Sequence, residues 1–168
     1  MKTLLKLSLA ATAVITAFGA QAQEFPSKDK TVTLVVPYAA GGPTDRVARD
    51  LAEALRKPLG VSVVVDNAAG AGSTIGTAKA ARATPDGYTL LLNHISMSTM
   101  PTMYRKLAFN VANDFEYLGI INDVPMTLIA KPSMAANNYK ELSTWINQNK
   151  GKINLGNAGQ GSASHLCG

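Results

Sequence analysis

Cysteine is nearly absent: Cys167 is the single thiol in 168 residues, and the only histidines are His94 and His165. One thiol excludes an intrachain disulfide, so stability must come from a packed core. The spacing of His94, His165 and Cys167 fits no zinc pattern, and no metal is expected. Charged residues make up 16% of the chain, aromatics 6%, and the basic side chains are scattered among acids. Without a basic run or interleaved aromatics there is no nucleic-acid footprint, and the charges read as solvated faces. The net charge of +5 includes Lys2 and Lys6, so the rest of the chain keeps only a mild positive bias, which suits an anionic ligand. Nothing after Gln23 approaches the ~20 apolar residues that a membrane span needs.

The signatures of catalysis are missing too. There is no G-x-S-x-G nucleophile elbow, and Ser162 and Ser164 lying near His165 in sequence do not make a triad. Gly70-Ala71-Gly72-Ser73-Thr74-Ile75-Gly76 looks like a dinucleotide-binding turn, but its spacing departs from G-x-G-x-x-G. It also follows the second strand, and Leu92-Asn93 supplies no ribose-binding acid at the end of the next one. No cofactor is expected, and an α/β enzyme ranks low among the alternatives.

What is present begins with a leader. Lys2 and Lys6, the apolar stretch from Leu7 to Ala20 and the sequence Ala20-Gln21-Ala22 describe a signal peptide over residues 1–22, with cleavage near Ala22-Gln23. No cysteine follows that site, so no lipid anchor is expected, and the mature chain should be exported and soluble.

The mature sequence then repeats one unit. Thr31–Val36 is a β-branched run typical of a strand buried on both faces. Val35-Val36-Pro37-Tyr38-Ala39-Ala40-Gly41-Gly42-Pro43-Thr44-Asp45 carries it through a bare glycine turn into an amphipathic helix predicted over Pro43–Lys57. Proline in a first helical turn is tolerated, and the free N–H groups there, with the helix dipole, favour an anion. Val61–Asp66 reads as a second buried strand, Asn67–Ser73 as its loop and Thr74–Ala83 as a helix. After the Thr84-Pro85-Asp86-Gly87 turn, Tyr88–Leu92 reads as a third strand, with a polar loop over 93–98. Such succession predicts a doubly wound parallel sheet with loops 37–43, 67–73 and 93–98 at its carboxyl edge, where ligands sit.

Beyond Tyr104 the pattern is less regular. Phe115–Ile121 and Pro125–Ala130 read as strands, Tyr139–Asn149 as a helix with Leu142, Trp145 and Ile146 on one face, and Ile153–Asn157 as a short strand. Ala158–His165 is again a glycine-rich loop opening a helix. Since that helix has no body, the chain reads as a fragment. Four loops offer main-chain N–H groups and short polar side chains with almost no titratable group, a set suited to holding a ligand rather than transforming it.

Five motifs in order carry a resemblance. Pro37–Gly42 with Asp45, Asp66-Asn67 leading to Gly70-Ala71-Gly72, Pro85–Leu91, Asn113-Asp114-Phe115, and Ile153-Asn154 to Gly159-Gln160-Gly161-Ser162 with His165-Leu166 resemble the Bug family. These are the periplasmic solute-binding receptors of tripartite tricarboxylate transporters. The resemblance implies a type II periplasmic-binding-protein fold: α/β, a doubly wound parallel-sheet lobe over residues 23–120 and the start of a second lobe over 121–168. It further implies capture of a small carboxylate and delivery to membrane permease subunits, with a sensor partner for a signalling kinase as the alternative. Carried over, Tyr38, Ala40, Gly41, Gly42 and Asp45 would form the first-lobe clasp, with Asn67, Ser73 and Thr74 as the adjoining wall. Gly159, Ser162 and His165 would stand on the second-lobe side, and Asn93, His94, Ile95 and Ser96 would form the third-strand loop that reads ligand identity. A clamp needs both faces to exclude water, so residues 23–168 alone are expected to bind poorly.

Overall fold

The computed structural model describes residues 25–129, 131–154 and 156–168. The expected signal peptide and its cleavage site lie outside the described residues. Strand β1 (Val32–Val36) leads to helix α1 (Pro43–Leu59), β2 (Val63–Asn67), a 3-10 turn (Ala71–Ser73), α2 (Thr74–Ala81), β3 (Thr89–Leu91) and α3 (Ser96–Met103). Farther along come α4 (Tyr139–Gln148) and the short α5 (Ala163–Cys167).

The sheet has the order β2-β1-β3, and both pairs are parallel, with Val32 beside Val63 and Thr33 beside Thr89. This is the α/β parallel architecture expected from the repeated units. Stepping from β1 out to β2 and back past β1 to β3 reverses direction, so right-handed crossovers put α1 and α2 on opposite faces. Successive side chains of β1 alternate between those faces. Val32, Leu34 and Val36 meet Ala48 and Ala52 of α1, while α2 crosses the other face against β1 and β3. Central position explains why β1 is buried almost throughout. By contrast β2 is an edge strand with Val64 45% exposed, which corrects the expectation of a strand buried on both faces.

Other boundaries moved for local reasons. Helix α1 runs through Pro58 to Leu59 rather than stopping at Lys57, because a last-turn proline forgoes one bond while the Gly60 N–H closes the helix on the Arg56 carbonyl. The polar loop expected over 93–98 is shorter, for α3 begins at Ser96. Its Met100 is fully buried and joins Ala78 and Phe109 in a second core cluster beside α2.

The strands expected at Phe115–Ile121 and Pro125–Ala130 do not form, and neither does Ile153–Asn157; Ala130 and Leu155 lie outside the described residues. A strand exists only against a neighbour. No other strand of the described residues runs beside these segments, and Leu118, Ile120 and Ile129 are more than 80% exposed. Phe115 is anchored edge-on to Phe109 with centroids 5.9 Å apart, and the Tyr117 hydroxyl donates to the Val111 carbonyl at 2.8 Å.

Helix α4 lies close to its expected span, and its start is visible chemically. The Asn138 side chain accepts from the Glu141 N–H at 3.0 Å, while the Asn137 N–H donates back to Glu141 Oε2 at 2.8 Å. Replacing Asn138 by alanine should cost about 1 kcal/mol of helix stability. The loss would appear as faster amide exchange over residues 139–142, and unchanged exchange would remove the cap from the account.

Candidate functional site

The parallel sheet brings three loops to one edge: 37–42 after β1, 68–73 after β2 and 92–95 after β3. The first is built around an uncapped helix start. Gly42 is the N-cap of α1, with no side-chain bond to it, and the ladder begins with the Arg46 N–H on the Gly42 carbonyl at 3.1 Å. The first-turn N–H groups of Thr44 and Asp45 have no intrahelical acceptor, and they lie at the positive end of a helix of 17 residues. Ala40 and Gly41 are exposed and Gly42 half-buried, so this end is open to an anion.

An acid in the same turn would seem to oppose that. The Asp45 carboxylate is turned inward, 3% exposed, and its bonds are all internal: the Gly41 N–H at 2.8 Å, Arg49 Nε at 3.0 Å and Asn67 Nδ2 at 3.0 Å. Asn67 Nδ2 also donates to the Tyr38 carbonyl at 3.2 Å. Asp45 and Asn67 thus hold loop 37–42 at both ends. Arg49 beside it, then the Gly41 N–H, draw the Asp45 carboxyl from its ordinary 3.8 down to about 2. Burial pulls the other way, but the hydrogen bonds from Arg49, Gly41 and Asn67 prevail.

The third loop is tied to the first through a buried polar cluster. Asn93 Oδ1 accepts from the Tyr38 hydroxyl at 2.7 Å, the Ser96 hydroxyl at 2.7 Å and the His94 N–H at 2.8 Å, and Asn93 Nδ2 donates to Thr77 Oγ1 at 3.0 Å. Ser73 donates to Ser96 at 2.9 Å. Burial raises the Tyr38 phenol above its ordinary value, against the Ser96 and Ser73 hydroxyls that lower it, so Tyr38 remains protonated. Its ring stacks on His94 with centroids 4.3 Å apart and planes at 11°.

The fourth loop docks onto the second. A Cβ at Gly72 would fall 2.1 Å from the Tyr104 hydroxyl and 2.3 Å from the Gln160 carbonyl, so only glycine admits this approach. The Tyr104 hydroxyl donates to the Gln160 carbonyl at 3.0 Å and Thr99 to the Gly161 carbonyl at 2.8 Å. Gly159 therefore sits against Gly72. Ser162 is buried as the N-cap of α5, and His165 Nδ1 accepts from the Gly161 N–H at 3.2 Å.

The expected residues thus fall into two sets. Tyr38, Ala40, Gly41, Gly42, Asn67, Asn93 and His94 converge around the first and third loops, and Ser73, Thr74, Gly159, Ser162 and His165 around the second and fourth. The carboxylate of Asp45 and the amides of Asn67 and Asn93 are engaged inside the protein. Ser96, expected in the loop after β3, joins the polar cluster, while the residues that the sequence reading left out are Arg49, Thr77, Thr99 and Tyr104; only Arg49, four residues after Asp45, carries a helix-spacing signal. A hollow of about 280 Å³ along α2, lined by Ile75, Ala78, Arg82 and Phe109, is bordered by Thr74 alone of the expected site residues. Among the described residues no three metal-ligating side chains cluster, and no helix is long and apolar enough to cross a membrane.

Comparison with known proteins agrees with this fold. Residues 47–168 match the family described as tripartite tricarboxylate transporter family receptor. A protein of Agrobacterium vitis, the UPF0065 protein in the TAR-I ttuE-ttuC' intergenic region, is 42% identical over 158 residues, 94% of this chain and 45% of its own length. The solved periplasmic binding protein BugD superposes with a TM-score of 0.80 at 52% identity, over 84% of this chain and 47% of that one. MatC of Rhodopseudomonas palustris with bound malate gives a TM-score of 0.77 at 34% identity, over 83% of this chain and 47% of that one. The chain spans about half the length of the relatives it matches.

Proposed function

Because this chain belongs to the tripartite tricarboxylate transporter receptor family, we propose that it is the carboxylate-capturing part of an exported receptor that serves a membrane permease. The single observation that carries the reading is the open N-terminus of α1, presented by a Gly41-Gly42 loop whose acid is turned inward. One ligand carboxylate would accept from the first-turn N–H groups there, and the helix dipole favours that charge. The malate bound to MatC, a relative of the same fold, supports a small organic acid as the ligand class. Residues 23–120 would form the first lobe and 121–168 the start of the second, with residues 1–22 directing export to the periplasm. Lobe closure on the ligand would generate the state that the permease recognises.

In this scheme Tyr38, Ala40 and Gly42 face the ligand, while Asp45, Asn67 and Asn93 position the loops. Ser73 and Thr74 line the second loop, and Gly159, Ser162 and His165 bring the fourth loop to the closed clamp. No group here is arranged to move a proton on a substrate, which favours binding without chemistry. Calorimetry of the receptor at full length against di- and tricarboxylates, acidic amino acids and aromatic acids should find one class with saturable binding and a raised melting temperature. A receptor stabilised by neutral sugars or metals and by no carboxylate would refute the assignment.

A further inference from the structure

The docked fourth loop is held by two side chains that stand outside the ligand-facing set. The Tyr104 hydroxyl donates to the Gln160 carbonyl at 3.0 Å, across 56 residues of sequence, and Thr99 Oγ1 donates to the Gly161 carbonyl at 2.8 Å, across 62. Both donors belong to the proposed first lobe. Thr99 lies within α3, and Tyr104 ends that helix with its N–H on the Met100 carbonyl at 3.0 Å. The Tyr104 ring packs against the buried cluster of Ala78, Met100 and Phe109, so the first-lobe core fixes where its hydroxyl sits.

Both acceptors are main-chain carbonyls, and the backbones around them meet without intervening side chains. A Cβ at Gly159 would fall 3.0 Å from Gly72 Cα, and one at Gly161 would fall 3.1 Å from Thr99 Oγ1. Ser162, the next residue, is fully buried. Every group in this contact is satisfied by the protein itself. If the fourth loop moves away from the second, both hydroxyl bonds break and their groups return to water. Each such exchange shifts an equilibrium by a few-fold.

We propose that Thr99 and Tyr104 are positioning residues that latch the fourth loop onto the first lobe, setting the balance of closed and open receptor through contacts that include no ligand atom. The inference rests on the reading of residues 121–168 as the start of a lobe that closes, and it goes beyond that reading. Part of the closing tendency belongs to the protein, so the latch raises the affinity of every ligand by one common factor by populating the competent state beforehand. Because the acceptors are main-chain groups, the balance is set by the two donors and not by the side chains at positions 160 and 161.

The test uses the full-length receptor without ligand. Spin labels on Lys57→Cys in α1 and Lys140→Cys in α4, both exposed positions, in a Cys167→Ser background, give the ratio of closed to open molecules from their distance distribution. Tyr104→Phe, which keeps the ring in its cluster, and Thr99→Val, which keeps the side-chain shape, should each lower that ratio about fivefold, the scale of one neutral hydrogen bond. Thr99→Ser, which retains the hydroxyl, should keep the wild-type ratio. By calorimetry, Tyr104→Phe and Thr99→Val should weaken succinate, malate and glutamate by the same factor wherever the wild type binds them. An unchanged ratio in one variant strikes that residue from the latch, and in both it overturns the inference. A wild type with the open distance alone, or a loss confined to one acid, would overturn it as well. A wild type that binds none of these acids counts against the carboxylate reading, while the label distances still decide the latch.

Discussion

Replacing Gly76 by alanine should destabilise the protein, although a glycine-to-alanine change inside a helix ordinarily stabilises by up to about 1 kcal/mol. The two effects have opposite signs, and contact distances decide between them. A Cβ at Gly76 would fall 2.6 Å from the Ala68 carbonyl oxygen, 2.7 Å from Pro37 Cβ and 2.8 Å from Pro37 Cα. None of these is the free end of a flexible side chain. Pro37 is fully buried, and Ala68 is fixed by its N–H on the Val36 carbonyl at 2.8 Å. Relief would require α2 to move off the carboxyl ends of β1 and β2 together. Overpacking of this kind typically costs about 1–3 kcal/mol, which exceeds the propensity gain, so alanine should lower the melting temperature by several degrees. Valine should prevent folding. Displacing Pro37 also displaces loop 37–42, so the alanine variant should lose ligand affinity even at temperatures where it is fully folded. A variant more stable than wild type would show that propensity wins and that the helix has room to shift.

Gly76 also shows what could and could not be read beforehand. Its place at the end of the Gly70–Gly76 run looked like a fragment of a dinucleotide-binding turn. In the fold it performs the one task that the third glycine of such a turn performs, close approach of helix to strand. The strand–loop–helix units were legible because β-branched runs and 3.6-residue periodicity are local signals: β1, α1, α2 and α4 lie near their expected spans. Helix α3 was not legible, since Ser96–Met103 contains Pro101 and lacks a continuous apolar stripe; it buries Ser96 and Met100, and of the two only Met100, against α2, is apolar. Nor could the edge position of β2 be read, because Val63-Val64-Val65 looks the same at a sheet's edge and at its centre. The expected strands after Phe115 failed for a related reason. Their composition fits a strand, but pairing depends on a neighbour that the local sequence does not specify.

The site residues divide along the same line. Residue types and the loops that carry them were readable; the partners of their side chains were not, because Asp45 meets Asn67 and Tyr38 meets Asn93 only through the sheet. An aspartate in a glycine turn at an anion site looks like a ligand contact until its partners are seen. The structure makes it a brace.

That brace leads to the other large effect, and here too two forces compete. Asp45→Ala removes a negative charge from the edge where an anionic ligand is proposed to bind and leaves Arg49 without its partner. Charge alone therefore predicts tighter binding, but only by a few-fold, because the Arg49 charge left unpaired is 55% exposed and screened by solvent. Against this, the substitution frees the Gly41 N–H and the Asn67 amide that hold loop 37–42 in place. Each residue of that loop that must then be ordered on binding weakens affinity roughly five- to thirtyfold. Two or three such residues outweigh the charge, and a net loss of at least about tenfold is expected. The brace also has a pH signature. Its carboxyl is depressed in the folded protein to about 2 from an ordinary 3.8, so its contribution is fully present above pH ~4 and disappears as pH falls from there toward 2. Acid unfolding of the wild type should contain this component, and Asp45→Ala should lack it. Tighter carboxylate binding by the variant, with wild-type acid unfolding, would mean that Asp45 opposes the ligand electrostatically and does not shape the loop.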